Sequence, residues 1–341
     1  MSTQNASQVV DVMSLLPLQL RYDPRKVFCT GACLVASGFL SNAALAVDQG
    51  LIYKQTNAVG QSESEFLLQP YEPLTGGYTK DSDDVAFVDV NLSVKFRLLP
   101  QGWTGTRNSL FLAMATRFGF YWGTRPGSPV IGKRYNPELL WRFLPSLEDA
   151  GSHEYKQYLD FGYAHESNGQ LVHTLQQYTQ ELVTAPEPQY ADNFIHRGWD
   201  YLEIAWKKTY RDDVLSYVDG KHFIPYGLLQ GREDEYHSWE NNPQGKPRKA
   251  VDGLDAVVEY PSTYIYNPVD PSENFGRLNV TLKYQTGYDV PFKYSTVRAE
   301  IGFQFLALPL AVWAQTGYMS DLAMYYQKVT SYGIEVRFVT F

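Results

Sequence analysis

Cysteine is nearly absent from this chain of 341 residues: there are two, Cys29 and Cys33. Both fall in one N-terminal apolar stretch, so no disulfide and no thiol-held metal can support the rest of the chain. Long apolar runs are lacking too, with Val27 to Ala46 the single exception. Arg25 and Lys26 precede that run, and Ala44-Leu45-Ala46 offers a small-residue exit before Val47. The pattern is that of a secretory leader, here residues 1–46 with an extended basic start. A transmembrane anchor, or lipidation at Cys33, are the other readings of the same stretch. No helix able to span a bilayer is expected after it. Basic charge is scarce as well. The formal net charge is −8, which leaves nothing to offset phosphates and excludes a nucleic-acid partner.

Aromatic side chains are plentiful, with 26 Tyr, 18 Phe and 7 Trp. Hydrophobic residues make up 44% of the chain, yet the mean hydropathy is −0.33, so apolar and polar residues must interleave closely. An exported chain without apolar helices can cross a membrane only as a closed barrel. Its strands should alternate with period two, under girdles of aromatic residues. Val88, Val90, Leu92, Val94, Phe96 and Leu98 share one face, against Asp89, Asn91, Ser93, Lys95 and Arg97. Leu278 to Gln285 and Val297 to Phe305 repeat the pattern, and Tyr332 to Phe338 follow it less strictly. A soluble sandwich would also alternate, but here the recurrent charges sit in mid-strand, where a barrel would line its lumen.

Eleven strands are expected, near 85–99, 108–121, 134–144, 157–167, 198–211, 213–224, 252–266, 276–288, 295–305, 309–319 and 329–340. Bacterial barrels carry even counts, so a further strand is expected near Tyr78 or within 225–270. The fold class is therefore all-β, a transmembrane antiparallel barrel over 85–341, with 47–84 as an N-terminal periplasmic segment. Residues 170–197 and 230–251 read as long loops.

The stretch Leu159 to Gln170 carries chemistry. Alternation puts Phe161, Tyr163, His165 and Ser167 on one face, the apolar one. A hydroxyl and an imidazole at i and i+2 can form a serine nucleophile with its general base. Asp200, in register with Leu202, Ile204 and Trp206 on the next expected strand, supplies a third group to orient the imidazole. Three residues of triad chemistry would then face lipid, so the substrate would be whatever lies against the barrel wall. A His and a Ser at the interface without chemistry is the plainer alternative.

Further residues carry a family likeness. His165-Glu166-Ser167-Asn168-Gly169 and Arg197-Gly198-Trp199-Asp200 resemble elements of the outer-membrane phospholipase A family. So do Gln69-Pro70-Tyr71, Arg134-Tyr135-Asn136-Pro137-Glu138 and Tyr284-Gln285-Thr286-Gly287-Tyr288. The resemblance implies a barrel of about twelve strands in the outer membrane. It implies a calcium-dependent phospholipase that cleaves acyl esters of phospholipids and lysophospholipids, working as a homodimer. By the same resemblance Ser167 is the nucleophile, His165 the base, and the Gly169 N–H an oxyanion donor. Calcium would be held by the carbonyls of Ser128 and Gln170 and at the position of His196. Two departures stand out: Asp200 where the family has Asn, and His196 where it has a hydroxyl. Imidazole is a poor calcium ligand, so Asp192, Asn193 or a carbonyl of the 170–197 loop would have to compensate. An inactive barrel (a pore or structural protein) and a deacylase acting on lipopolysaccharide remain as other readings.

Asp81-Ser82-Asp83-Asp84 lacks the glycine and distal Glu of a calcium loop and reads as a turn. His153, His173, His222 and His237 have no ligand spacing. The cationic cluster from Lys246 to Lys249 reads as solvated loop.

Overall fold

The computed structural model describes residues 68–99, 107–145, 157–185, 187–210, 214–225, 227–229, 244–266, 274–305 and 308–339. The expected leader, His153 and His237 lie outside them. Among the described residues no helix is long and apolar enough to cross a membrane.

Thirteen strands follow one another: β1 (Leu68–Gln69), β2 (Leu74–Asp81), β3 (Ala86–Arg97), β4 (Asn108–Phe120), β5 (Val130–Phe143), β6 (Gln157–Ser167) and β7 (Gly198–Thr209). β8 (Leu215–Ile224), β9 (Gly253–Tyr266), β10 (Asn274–Gly287), β11 (Ser295–Phe305), β12 (Leu308–Gly317) and β13 (Val329–Val339) complete the set. Each strand from β2 to β13 pairs antiparallel with its neighbours, and β13 closes onto β2. The result is a closed 12-strand barrel. Among the described residues the α-helical elements are α1 (Leu175–Thr184), between β6 and β7, and the single turn α2 (Arg248–Val251), before β9.

β2 is the strand the alternation did not resolve, so the barrel starts at Leu74 and not at residue 85. The short β1 pairs with the far end of β3, through Leu68↔Phe96 and Gln69↔Lys95, while β2 pairs with its near half. The two are halves of one interrupted edge. Pro70 and Pro73 lie in the gap, where a missing N–H leaves the ladder short of donors, and Glu72 N donates instead to Ser93 Oγ at 2.9 Å. The break turns Tyr71 and Glu72 inward: the Tyr71 hydroxyl donates to Glu138, and Glu72 pairs with Arg134. Two of the motif segments singled out in the sequence therefore meet here.

The strand faces sort as the period-two pattern requires. Asp89, Ser93 and Lys95 are buried, while Leu92, Val94 and Phe96 between them are exposed. Several of the inward charges are paired. Arg142 binds Asp160 bidentately at 2.8 and 2.6 Å, and Glu300 is ringed by Lys283, Arg298 and Arg337. Low polarity makes an unpaired charge costly, which these pairs offset. Outside, the wall is apolar, and Phe96, Trp141, Phe305 and Phe338 face outward near the same end of the barrel. Such an aromatic ring marks a membrane interface.

α2 corrects the reading of Lys246 to Lys249 as solvated loop. Arg248 is wholly buried, pairing with Glu166 and Asp252, and Val251 packs with Trp199, Tyr201, Phe223 and Tyr325 in an apolar plug. The Asp81–Asp84 segment is a hairpin turn, as expected, with Asp81 Oδ1 accepting from the N–H groups of Asp83 and Val85 at 3.0 and 2.8 Å.

A charge on the outward face at mid-strand should be penalised by lipid. Ile204→Arg on β7 is expected to destabilise the barrel by about 2–4 kcal/mol in urea unfolding from lipid vesicles. An unchanged midpoint would show that this face does not meet hydrocarbon.

Candidate active site

β6 delivers His165 and Ser167 to the outer face and Glu166 to the lumen between them. Register across the next ladder sets His165 directly opposite Asp200 and Ser167 opposite Gly198. The residues expected to act together therefore converge on two adjacent strands, near the ends joined by residues 168–197. The His165 ring meets Asp200 Oδ1 through Nδ1 at 2.6 Å. That contact places the ring proton on Nδ1 and leaves the Nε2 lone pair for a hydroxyl. Among the described residues no hydrogen bond joins the Ser167 hydroxyl to the ring. Such contacts commonly tighten only with substrate in place.

Asp200 is fully buried although it belongs to the outward face of β7. Its second oxygen accepts from the Tyr163 hydroxyl, and from Leu229 N at 2.8 Å. Hydrogen bonds of this kind favour the ionised carboxylate. A charged carboxylate at this distance can stabilise an imidazolium.

Past Ser167 the chain turns sharply. Asn168 is buried and bound at three points to the strand entering β7: its N–H to Arg197 O at 3.1 Å, its side-chain amide to Ile195 O at 2.8 Å, and its Oδ1 from Arg197 N at 2.9 Å. Gly169 follows with φ of +62°, and a Cβ there would crowd the Tyr135 ring at 3.1 Å. Left-handed backbone and close approach together call for glycine. The Gly169 N–H thus stands on a turn anchored by Asn168, two residues after Ser167. Asn168 as its anchor was missed in the sequence, although a buried Asn between a nucleophile and a glycine is a signal for one.

The segment expected as an open loop holds α1, which a capping box starts: Gln177 N donates to Thr174 Oγ1 at 3.1 Å, and Thr174 N to Gln177 Oε1 at 3.1 Å. A 3-10 turn, Pro188–Phe194, leads from it back to the wall.

The calcium ligand set fares differently. Ser128 sits in the β4–β5 turn with φ of +47°. Its N–H donates to Arg125 O at 3.1 Å, and its hydroxyl accepts from Gly123 N at 3.2 Å. The Gln170 side chain donates to Gly132 O at 2.9 Å. The His196 ring stacks on His173, with centroids 4.4 Å apart, and hydrogen-bonds the Gln170 main chain. Burial, then the neighbouring His173 and His165, push its pKa down to about 4, so the ring is neutral at pH 7. Of the candidates to compensate, Asp192 takes the Tyr178 hydroxyl and the Asn193 side chain bonds Tyr190 O at 3.2 Å. Among the described residues no three His, Cys, Asp or Glu side chains gather around a metal-sized site. Calcium demands about six to eight hard oxygens. A neutral imidazole, hydrogen-bonded to the carbonyl that would ligate, does not fit that demand, so no step here is drawn through calcium.

Chelator should accordingly leave the rate unchanged, and terbium luminescence should show no saturable site on the wild-type protein. A rate abolished by chelator and restored by calcium would contradict this.

No protein-family model matches the chain, and no curated protein matches its sequence. Solved structures do. Outer membrane phospholipase A from Escherichia coli matches with a TM-score of 0.55 and 17% identity, over 82% of this chain and 95% of that chain. The Salmonella typhi outer membrane phospholipase, a dimer with bound calcium, matches with a TM-score of 0.57 and 16% identity over the same shares. The resemblance read from the motifs is borne out at the level of fold: this chain has the barrel fold of the outer membrane phospholipase A structures.

Proposed function

We propose that the protein is an outer-membrane hydrolase of phospholipid and lysophospholipid acyl esters, with Ser167 as nucleophile, His165 as general base and Asp200 as its orienting partner. The observation that carries this reading is the 2.6 Å contact of His165 Nδ1 with Asp200, set on the outer wall beside Ser167. A triad on that wall can reach only what lies alongside it, the lipid. The longest connection, residues 168–197, lies at the triad end, and outer-membrane barrels keep their longer loops outside. The site would thus stand in the outer leaflet.

The chemistry follows from the geometry. Ser167 Oγ attacks the ester carbonyl while His165 Nε2 takes its proton. Negative charge that develops on the carbonyl oxygen meets the Gly169 N–H. His165 returns the proton to the departing glycerol oxygen, and the acyl group stays on Ser167. Water, deprotonated by the same imidazole, releases the fatty acid. Asp200 holds the ring throughout and stabilises its charged form. A homodimer belongs to the reading as well: a Salmonella typhi protein of this fold is a dimer, and the apolar wall around the triad suits a second copy as it suits lipid.

Ser167→Ala is expected to lower fatty-acid release from phospholipid in detergent by about a thousandfold or more, with heat-modifiable migration of the folded barrel retained. Release undiminished in this variant would refute the assignment. Acyl chains freed from lipopolysaccharide and not from phospholipid would shift the substrate. Ion conductance without any release would favour a passive barrel.

A further inference from the structure

Asp200 presents a physical problem. It belongs to the outward face of β7, whose next same-face residues, Leu202 and Ile204, are 49% and 55% exposed. A carboxylate on that wall faces hydrocarbon, where an unsatisfied charge is severely penalised. Yet Asp200 is 0% exposed. Among the described residues, what lies over it is the short segment that follows β8.

Gly227, Leu228 and Leu229 lie across the outside of the β6–β7 pair. Leu229 N donates to Asp200 Oδ2 at 2.8 Å, and Leu228 N donates to the Tyr163 hydroxyl at 2.7 Å. That hydroxyl in turn donates to Asp200. Gly227 passes so close that a Cβ on it would stand 2.1 Å from Asp200 Oδ2. The side chains point the other way: Leu228 is 87% exposed and Leu229 60%.

We propose that Gly227–Leu229 is a strap over the triad, whose main-chain N–H groups clamp Asp200 as a carboxylate and whose two leucines form the wall along which the lipid acyl chain lies. The second half of this statement rests on the hydrolase reading above. The donor count supports the first half. His165 occupies one oxygen, while Tyr163 and Leu229 both donate to the other. An Asn at this position would turn an NH2 group toward the Leu229 N–H, which cannot reverse its role. The strap therefore requires Asp, which is what this chain carries in place of the Asn expected from the family resemblance. For the second half, the strap's outer surface is continuous with the apolar wall of Phe161, Leu202 and Ile204 and borders the residue pair His165–Asp200. Leu228 and Leu229 thus stand, exposed, on the same outer wall as His165 and Ser167. The ligand chemistry that fits them is a long, saturated or unsaturated hydrocarbon chain, since no charged or polar side chain stands on the strap itself.

Three measurements on the full-length protein in detergent test this. Asp200→Asn is expected to lower kcat by about a hundredfold or more and to speed amide hydrogen exchange at 227–229. The double variant Leu228→Asn with Leu229→Asn keeps both N–H donors. It is expected to lower the ratio of kcat/KM for a hexadecanoyl ester over a butanoyl ester about tenfold. Gly227→Val, which crowds the carboxylate, should lower kcat for both esters alike. Unchanged exchange at 227–229 in Asp200→Asn would overturn the clamp without any reference to activity. A chain-length ratio that does not move in the double leucine variant would overturn the acyl wall. Neither result touches the hydrolase reading, which falls if Ser167→Ala retains the wild-type rate.

Discussion

Glu166 is held in the lumen by Arg248, with Arg134 4.0 Å away, and a strand that points Glu166 inward must point its neighbours outward. The direction of His165 and Ser167 is thus set by an ion pair made on the opposite side of the wall. A slip of one residue in β6 would turn the nucleophile and its base into the lumen and force Glu166 into lipid. The anchor reaches across the barrel. Arg134 also binds Glu72, Arg248 binds Asp252, and Gln285 donates to Asp252 Oδ1 at 2.7 Å. Removing one partner from such a buried set costs about 3–5 kcal/mol, so the register of β6 is secured by residues that never touch substrate.

Behind the site an apolar plug stands at the triad end of the lumen, beside a polar cavity of about 480 Å³. Trp199, Tyr201, Phe223, Val251 and Tyr325 pack together at the triad end, with Trp199 and Tyr325 edge to face at 5.3 Å. This stiffens β7 where Asp200 leaves it. The wall between plug and lipid is one strand thick, so chemistry on the outside rests on aromatic packing and ion pairing on the inside.

Much of this was legible in the residue order, for a physical reason. A strand's period of two is local, so the faces of β3, β10, β11 and β13 and the common face of His165 and Ser167 follow from their own residues. That Asp200 shares this face was legible as well, but its place opposite His165 came only with the pairing of β6 and β7. β2 escaped because Thr75-Gly76-Gly77-Tyr78 shows no alternation of apolar and polar residues, and Pro70 and Pro73 flank it as loop signals. α1 was announced by Thr174 and Gln177 at capping-box spacing but was hidden inside a long insertion. Arg248 and the Gly227–Leu229 strap could not be read locally at all. Their partners, Glu166 and Asp200, lie on other strands, and only the closed barrel brings them together. The metal set shows the converse: Ser128, Gln170 and His196 were carried over by likeness, and the chemistry of one imidazole is enough to change their meaning.

The central claim is that Ser167 is an activated nucleophile on the lipid-facing wall. The most direct test is to treat the detergent-solubilised protein with a fluorophosphonate bearing an alkyl chain and locate the adduct by peptide mass spectrometry. The account predicts a single adduct on Ser167, lost in His165→Ala and strongly slowed in Asp200→Ala. An adduct on another serine, or labelling of Ser167 that is indifferent to His165, would contradict it.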